Sequence, residues 1–155
     1  MKVSYWCIGK TDDAYLKEGT AIYLKKLMPY LSFQYLELSA SKLKNGVADM
    51  HRSFEKDEVL KILKPNDLLI LLDEKGELMS SEKFAQWMQK KFNVAQGNIV
   101  FLSGGAYGFH EELYKRSIAK LALSEMTFTH QMVRLIFLEQ LYRCMTILRK
   151  EPYHH

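Results

Sequence analysis

Three short stretches carry side chains or backbone suited to chemistry. In "IVFLSGGAYGFHEE", Ile99 to Glu112, an apolar run breaks at Gly104, Gly105 and Gly108 and then opens a polar, helix-like segment. Glycines placed there let a backbone turn sharply and approach a ligand closely. Such a turn holds a dinucleotide phosphate, another cofactor, or nothing. In "LALSEMTFTHQ", the polar side chains of Ser124, Glu125, Thr127 and Thr129, with free backbone groups, suit a ring around a ligand; Thr127 or Thr129 equally suits a helix cap. In the last stretch Glu139 and Arg143 stand i, i+4 in the favourable acid-before-base order. Exposed, such a pair contributes roughly a few tenths of a kcal/mol. On an otherwise apolar face it fits a functional or interface pair equally well. The tail "EPYHH" adds Tyr153, His154 and His155. Pro152 ends any helix before it, unanchored termini fray, and the paired histidines have no accompanying set of metal ligands.

The elements that must position these residues alternate between strand and helix. Val3–Ile8 reads as a first strand, followed by a helix capped at Asp12 or Asp13 and stopped before Pro29. Ser32–Leu38 alternates as a strand, and Val47–Leu63 reads as a helix ended by Pro65. "DLLILLD", Asp67–Asp73, is a continuous aliphatic run, the mark of a central strand covered on both faces. A helix capped by Ser80 or Ser81 follows, then the Ile99 strand, a short helix over Glu111–Arg116, a strand in "IAKLALS" and a long helix from His130 to Lys150. The order predicts an α/β fold with a mostly parallel sheet flanked by helices. Ligands in such sheets bind beyond the carboxyl ends of strands. Three carboxyl ends stand out, in "LLILLDEKGE", "FLSGGAYG" and "LALSEMTFTHQ".

The final helix is apolar nearly all round. Val133, Phe137, Leu141, Cys144, Met145 and Leu148 form one stripe, and Met132, Leu135, Ile136, Tyr142 and Ile147 fill most of the opposite side. Such a helix is buried on both sides. The expectation is one side on the sheet and the other on a second subunit, which gives a homodimer.

Composition restricts the class. A chain of 155 residues, 48% hydrophobic and 26% charged, suits one domain over residues 1–155 with a real core. With 3 Pro and 8 Gly it shows no linker, and it has no internal repeat. The apolar run at the N-terminus is too short for a signal peptide or a membrane span, so a cytoplasmic location is expected. Cys7 and Cys144 lie in apolar runs without metal-ligand spacing and read as buried thiols; no metal site is expected. A net charge of +4 leans only slightly towards polyanionic partners.

A nicotinamide or flavin site is one reading of strand, glycine turn and helix, with Glu125 about 20 residues on as a ribose-binding acid. Against it stand the Gly-Gly-x-x-Gly spacing, the late position in the chain, and the short, strongly charged helix that follows. A non-catalytic RNA-binding module is a further alternative.

Several segments together carry a resemblance: "DLLILLDEKGELMSSEKFAQ", "FLSGGAYGFHEEL", "LALSEMTFTHQMVRLIFLEQLYR", the closing "PYHH" and the opening "MKVSYWCIGK". In these the chain resembles the bacterial ribosomal large-subunit pseudouridine N3-methyltransferase family of the SPOUT class. The resemblance implies an α/β fold with a C-terminal trefoil knot and a turn that cradles S-adenosylmethionine. By family motif the cofactor contacts are Leu72, Gly104, Gly105, Leu123, Ser124, Glu125, Met126, Thr127 and Phe128. Ser103, Thr129 and His155 depart from the family's usual aliphatic, proline and basic residues. The reaction implied is in-line transfer of the sulfonium methyl to N3 of a pseudouridine, with large-subunit ribosomal RNA in the ribosome as partner. N3 carries a proton that must leave. His130, Glu139, Arg143, Tyr153 and His154 are the polar groups expected near the carboxyl-end site. Among them His154 or Glu139 is expected to act as base, and Arg143 to face the imidate or a phosphate.

Overall fold

The computed structural model describes the backbone of residues 1–154 and the side chains of residues 1–153. Five parallel strands form one sheet in the order β2-β1-β4-β3-β5. They are β1 Val3–Ile8, β2 Phe33–Leu38, β3 Leu68–Leu78, β4 Ile99–Ser103 and β5 Ala119–Ala122. The expected α/β arrangement is the observed one. All residues of β1 and β4 are buried, as are Leu69 to Leu72 of β3, because helices cover both faces.

The helices are α1 Ala14–Leu27, α2 Ala48–Ile62, α3 Ser81–Val94, α4 Glu111–Arg116 and α5 Met132–Leu148. One sheet face carries Tyr5, Cys7, Ile70, Leu72, Ile99 and Phe101 against α1, α3 and α5. The other carries Trp6, Ile8, Leu69, Leu71, Val100 and Leu102 against Val59 of α2 and Leu113 of α4. Full burial of each such aliphatic side chain contributes about 1.5–3 kcal/mol.

Ser80 caps α3, its hydroxyl accepting from the Lys83 N–H at 3.2 Å. Asp13 occupies the N-cap of α1 without a side-chain cap hydrogen bond. Thr129 Oγ1 accepts from the Met132 N–H at 3.2 Å, so Thr129 does cap the start of the final helix.

Two features depart from expectation. β3 does not end at Asp73. It continues through the polar "EKGEL", and its pairing with β5 shifts, so that Leu121 partners first Leu72 and then Glu77. The second pass is close. A Cβ on Gly76 would lie 2.5 Å from the Leu121 carbonyl carbon, so only glycine fits. Nor does α5 wait for a second subunit to cover its flanks. It packs between α1 and α3, with Leu135 directed at Gly19 of α1. No residue of α5 is fully exposed, and Phe137, Leu138, Leu141 and Cys144 are completely buried.

Arg134 is the largest fully buried side chain among the described residues, 1% exposed. It donates to the Ile8 carbonyl at 2.7 Å and to Thr11 Oγ1 at 2.9 Å, and lies 3.8 Å from Glu37. This ties α5 to the end of β1. The tail is also anchored. Lys150 adopts φ 56°, which turns the chain back. Arg149 donates to the Pro29 carbonyl at 3.1 Å, Tyr30 hydrogen-bonds to Glu151, and residues 152–154 form a 3-10 turn.

Candidate active site

Register decides where the site lies. Leu72 pairs with Ser103 on one side and with Leu121 on the other, so the ends of β4 and β5 lie level with Leu72, where β3 turns from apolar to polar. The segments that follow them enclose a cavity of about 720 Å³, within the range of roughly 300–1,000 Å³ usual for small-molecule sites. The three carboxyl ends marked in the sequence therefore converge. Leu72, Gly104, Gly105, Leu123, Ser124, Met126, Thr127 and Phe128 all line the cavity; Glu125, in the same third loop, is exposed and does not.

The glycine turn is tightly seated. A Cβ on Gly104 would come 3.1 Å from the Phe109 ring, and one on Gly105 would come 2.7 Å from Glu55 Oε1. Gly108 has φ +75°, and an antiparallel bridge joins it to Gly105. Behind the turn, Glu55 is 7% exposed, and its Oε2 has no hydrogen-bond partner. Burial pushes its carboxyl up to about 7.

α4 begins with Glu111 and Glu112, and the His110 ring accepts from the Glu112 N–H at 3.1 Å. Two carboxylates occupy the first turn where a dinucleotide pyrophosphate would need a positive environment. That composition argues against a nicotinamide or flavin site.

Of the four polar groups expected near this site whose side chains are described (His130, Glu139, Arg143 and Tyr153), the structure brings only His130 to the cavity. Glu139, Arg143 and Tyr153 gather elsewhere, because α5 runs away from the cavity at 1.5 Å per residue. Glu139 and Arg143 thus lie roughly 10 and 16 Å along the axis from Met132. There Glu139 Oε1 accepts from Arg143 Nε at 3.1 Å, Arg143 Nη2 at 2.7 Å and Tyr153 Oη at 3.0 Å. Glu139 Oε2 accepts from Gln140 at 2.8 Å. The Arg143 guanidinium sits 4.8 Å from the Tyr153 ring centroid, and Tyr142 meets that ring edge-on at 4.8 Å. Burial, then contacts with Tyr23 and Glu139, hold the Tyr153 hydroxyl well above its usual range. The His154 side chain and His155 lie outside the described residues.

Sequence reasoning missed other cavity residues. Arg52, Asp73, Lys75, Tyr107 and Tyr114 also line it. The Tyr114 hydroxyl hydrogen-bonds the Asp73 carboxylate at 2.5 Å. Tyr107 and Tyr114 sit inside or beside the quoted glycine stretch, so their position was open to reading. Arg52 had no such signal, because α2 reaches the turn only through packing on the sheet. Among the described residues no group of three or more His, Cys, Asp or Glu side chains is arranged to hold a metal ion. No helix among them is long and apolar enough to cross a membrane.

A parallel α/β sheet with a cavity beyond its strand ends is the architecture of an α/β protein that binds a small molecule. Residues 1–154 match the family described as "Predicted SPOUT methyltransferase", and the chain belongs to that family. Within it, the chain is 52% identical over 155 residues to the ribosomal RNA large subunit methyltransferase H of Cytophaga hutchinsonii, covering 100% of both chains. Proteins of the same name from Christiangramia forsetii and Parabacteroides distasonis are each 44% identical over 156 residues, covering 100% of this chain and 99% of their own.

Proposed function

We propose that the chain transfers a methyl group from S-adenosylmethionine to N3 of a pseudouridine in large-subunit ribosomal RNA, in the cytoplasm and on the assembled ribosome. One observation supports this above the others: Leu72, Ser103 and Leu121 stand side by side and open into a single cavity edged by a glycine turn. Full-length similarity to the H methyltransferases supplies the substrate class.

The cavity fits the cofactor. Apolar walls from Leu72, Leu121, Leu123 and Val133 suit an adenine, and the exposed loop 124–129 offers backbone and hydroxyl groups to a ribose and an amino acid. Leu72, Gly104, Gly105, Leu123, Ser124, Met126, Thr127 and Phe128 would hold it. When bound, S-adenosylmethionine supplies a methyl group already activated by the sulfonium charge.

The chain's own residues must deal with the N3 proton and the charge left behind. Glu139 is engaged on both oxygens, so we assign it to hold Arg143 and Tyr153 rather than to take a proton. Arg143 then faces the developing imidate, Tyr153 offers a ring to the base, and His154, the next residue, accepts the proton. His130 orients the substrate from the cavity side.

The tail cluster lies away from its own cavity, so this assignment needs a second copy to bring it to the partner's cavity. A two-fold homodimer follows. We also assign to the chain its family's C-terminal trefoil knot, on the strength of the family match over residues 1–154. The test is methyl transfer to assembled ribosomes, free subunits and naked RNA, with the product mapped by mass spectrometry. N3-methylated pseudouridine on ribosomes is expected. Transfer to another base or atom, or none, would overturn the reading.

A further inference from the structure

The tip of the glycine turn carries an aromatic ring that the reaction as described does not use. Tyr107 is 49% exposed and borders the cavity. One ring neighbour is His51, only 8% exposed, with centroids 4.7 Å apart and planes inclined by 18°. The Tyr107 carbonyl accepts from Arg52 Nη1 at 3.2 Å, and Arg52 is itself paired with Asp49. The Gly105–Gly108 bridge closes the turn beneath. A large ring at an exposed turn tip is thus fixed in backbone and in plane, with its remaining surface open.

A flat ring backed by a parallel imidazole is complementary to another flat π system. Arg52 stands beside it with a guanidinium suited to a phosphate. The acids at the cavity, Asp73 and Glu74, belong to the β3 segment, and Asp73 is engaged by Tyr114. The cofactor contacts implied by family motif lie at the strand ends and the third loop, not at this tip.

Resting on the function proposed above, we infer that Tyr107, backed by His51, is a stacking platform for a nucleobase of the RNA substrate adjacent to the one methylated, with Arg52 beside the connecting phosphate. Tyr107 is therefore a positioning residue for RNA. Base–aromatic stacking tolerates any base, because every base has a π face.

Three measurements on the full chain test this: methyl transfer at varied concentrations of ribosomes lacking the modification, filter binding of the same ribosomes, and calorimetry with S-adenosylhomocysteine. Tyr107→Ala should raise the KM for ribosomes and weaken their binding roughly 10- to 100-fold. Its kcat at saturation, cofactor affinity and melting temperature should hold, and Tyr107→Phe, which keeps the ring, should restore KM. Equal ribosome binding by wild type and Tyr107→Ala would overturn the platform, as would a defect that appears in cofactor affinity. A wild type that binds ribosomes without methylating them, while Tyr107→Ala binds more weakly, supports the platform and overturns the function reading. A wild type that neither binds nor methylates overturns both.

Discussion

Glu55 keeps its proton up to about pH 7 in the fold, whereas an exposed glutamate loses it near 4.5. Between those values the native state holds a proton that the unfolded chain has released. Stability is therefore greatest below the unfolded value and falls as pH rises through about 7. The loss attributable to this one group is about 3 kcal/mol. Glu55→Gln has no proton to lose. Relative to wild type, its melting temperature should rise by roughly 10 °C between pH 5 and pH 8. Parallel melting curves across that range would show that the carboxyl is not held neutral. Glu55 itself was not legible in the sequence as a special acid. It sits in the charged run "EKDE" on α2, and only packing of that helix against Gly105 takes it out of water. By contrast, Glu139 and Arg143 were legible as a pair, because i, i+4 spacing is local. Their third member, Tyr153, joins them across a chain reversal that no periodicity encodes.

At the scale of elements, the mainly apolar runs of β1, β3 and β4 identified themselves, since burial on both faces leaves little room for large polar or charged side chains. The continuation of β3 through Glu74, Lys75 and Gly76 did not. Its residues look like a turn, and they pair with β5 only after a shift of register that no local pattern encodes. The tail was legible as residue types only. Its anchoring depends on Tyr30 and Pro29, about 120 positions away. This anchoring yields an expectation about catalysis. Deleting residues 153–155 removes the ring over Arg143 and the proposed proton acceptor, but leaves the sheet and cavity intact. Methyl transfer should fall by orders of magnitude, with S-adenosylhomocysteine affinity nearly unchanged. Wild-type turnover by the truncated chain would move the proton acceptor to His130.

For the whole molecule, the proposed roles of cavity and tail cluster, which lie apart along α5, imply that a lone chain would be an incomplete enzyme. Light scattering at micromolar concentration should give about twice the 18.2 kDa chain mass. The half-buried outer residues Ile136, Arg143 and Ile147 should become protected from solvent in the pair. A monomer with full activity would show that one chain completes its own site. The sequence anticipated a second subunit because α5 is apolar all round. The structure shows that α1 and α3 already cover much of that surface, so the case for pairing now rests on where the chemistry lies.

The docking of the tail also sets an order of events during synthesis. Arg149 and Glu151 are synthesised about 120 residues after Pro29 and Tyr30, onto which they close at the end of α1. The parallel sheet can assemble around β1 while translation continues. The cluster of Glu139, Arg143 and Tyr153 cannot form until Tyr153 has been made. A nascent or prematurely terminated chain would hold a cofactor cavity without the groups that complete it. On the assignment proposed above, competence to modify RNA would therefore come later in synthesis than the sheet and its cavity.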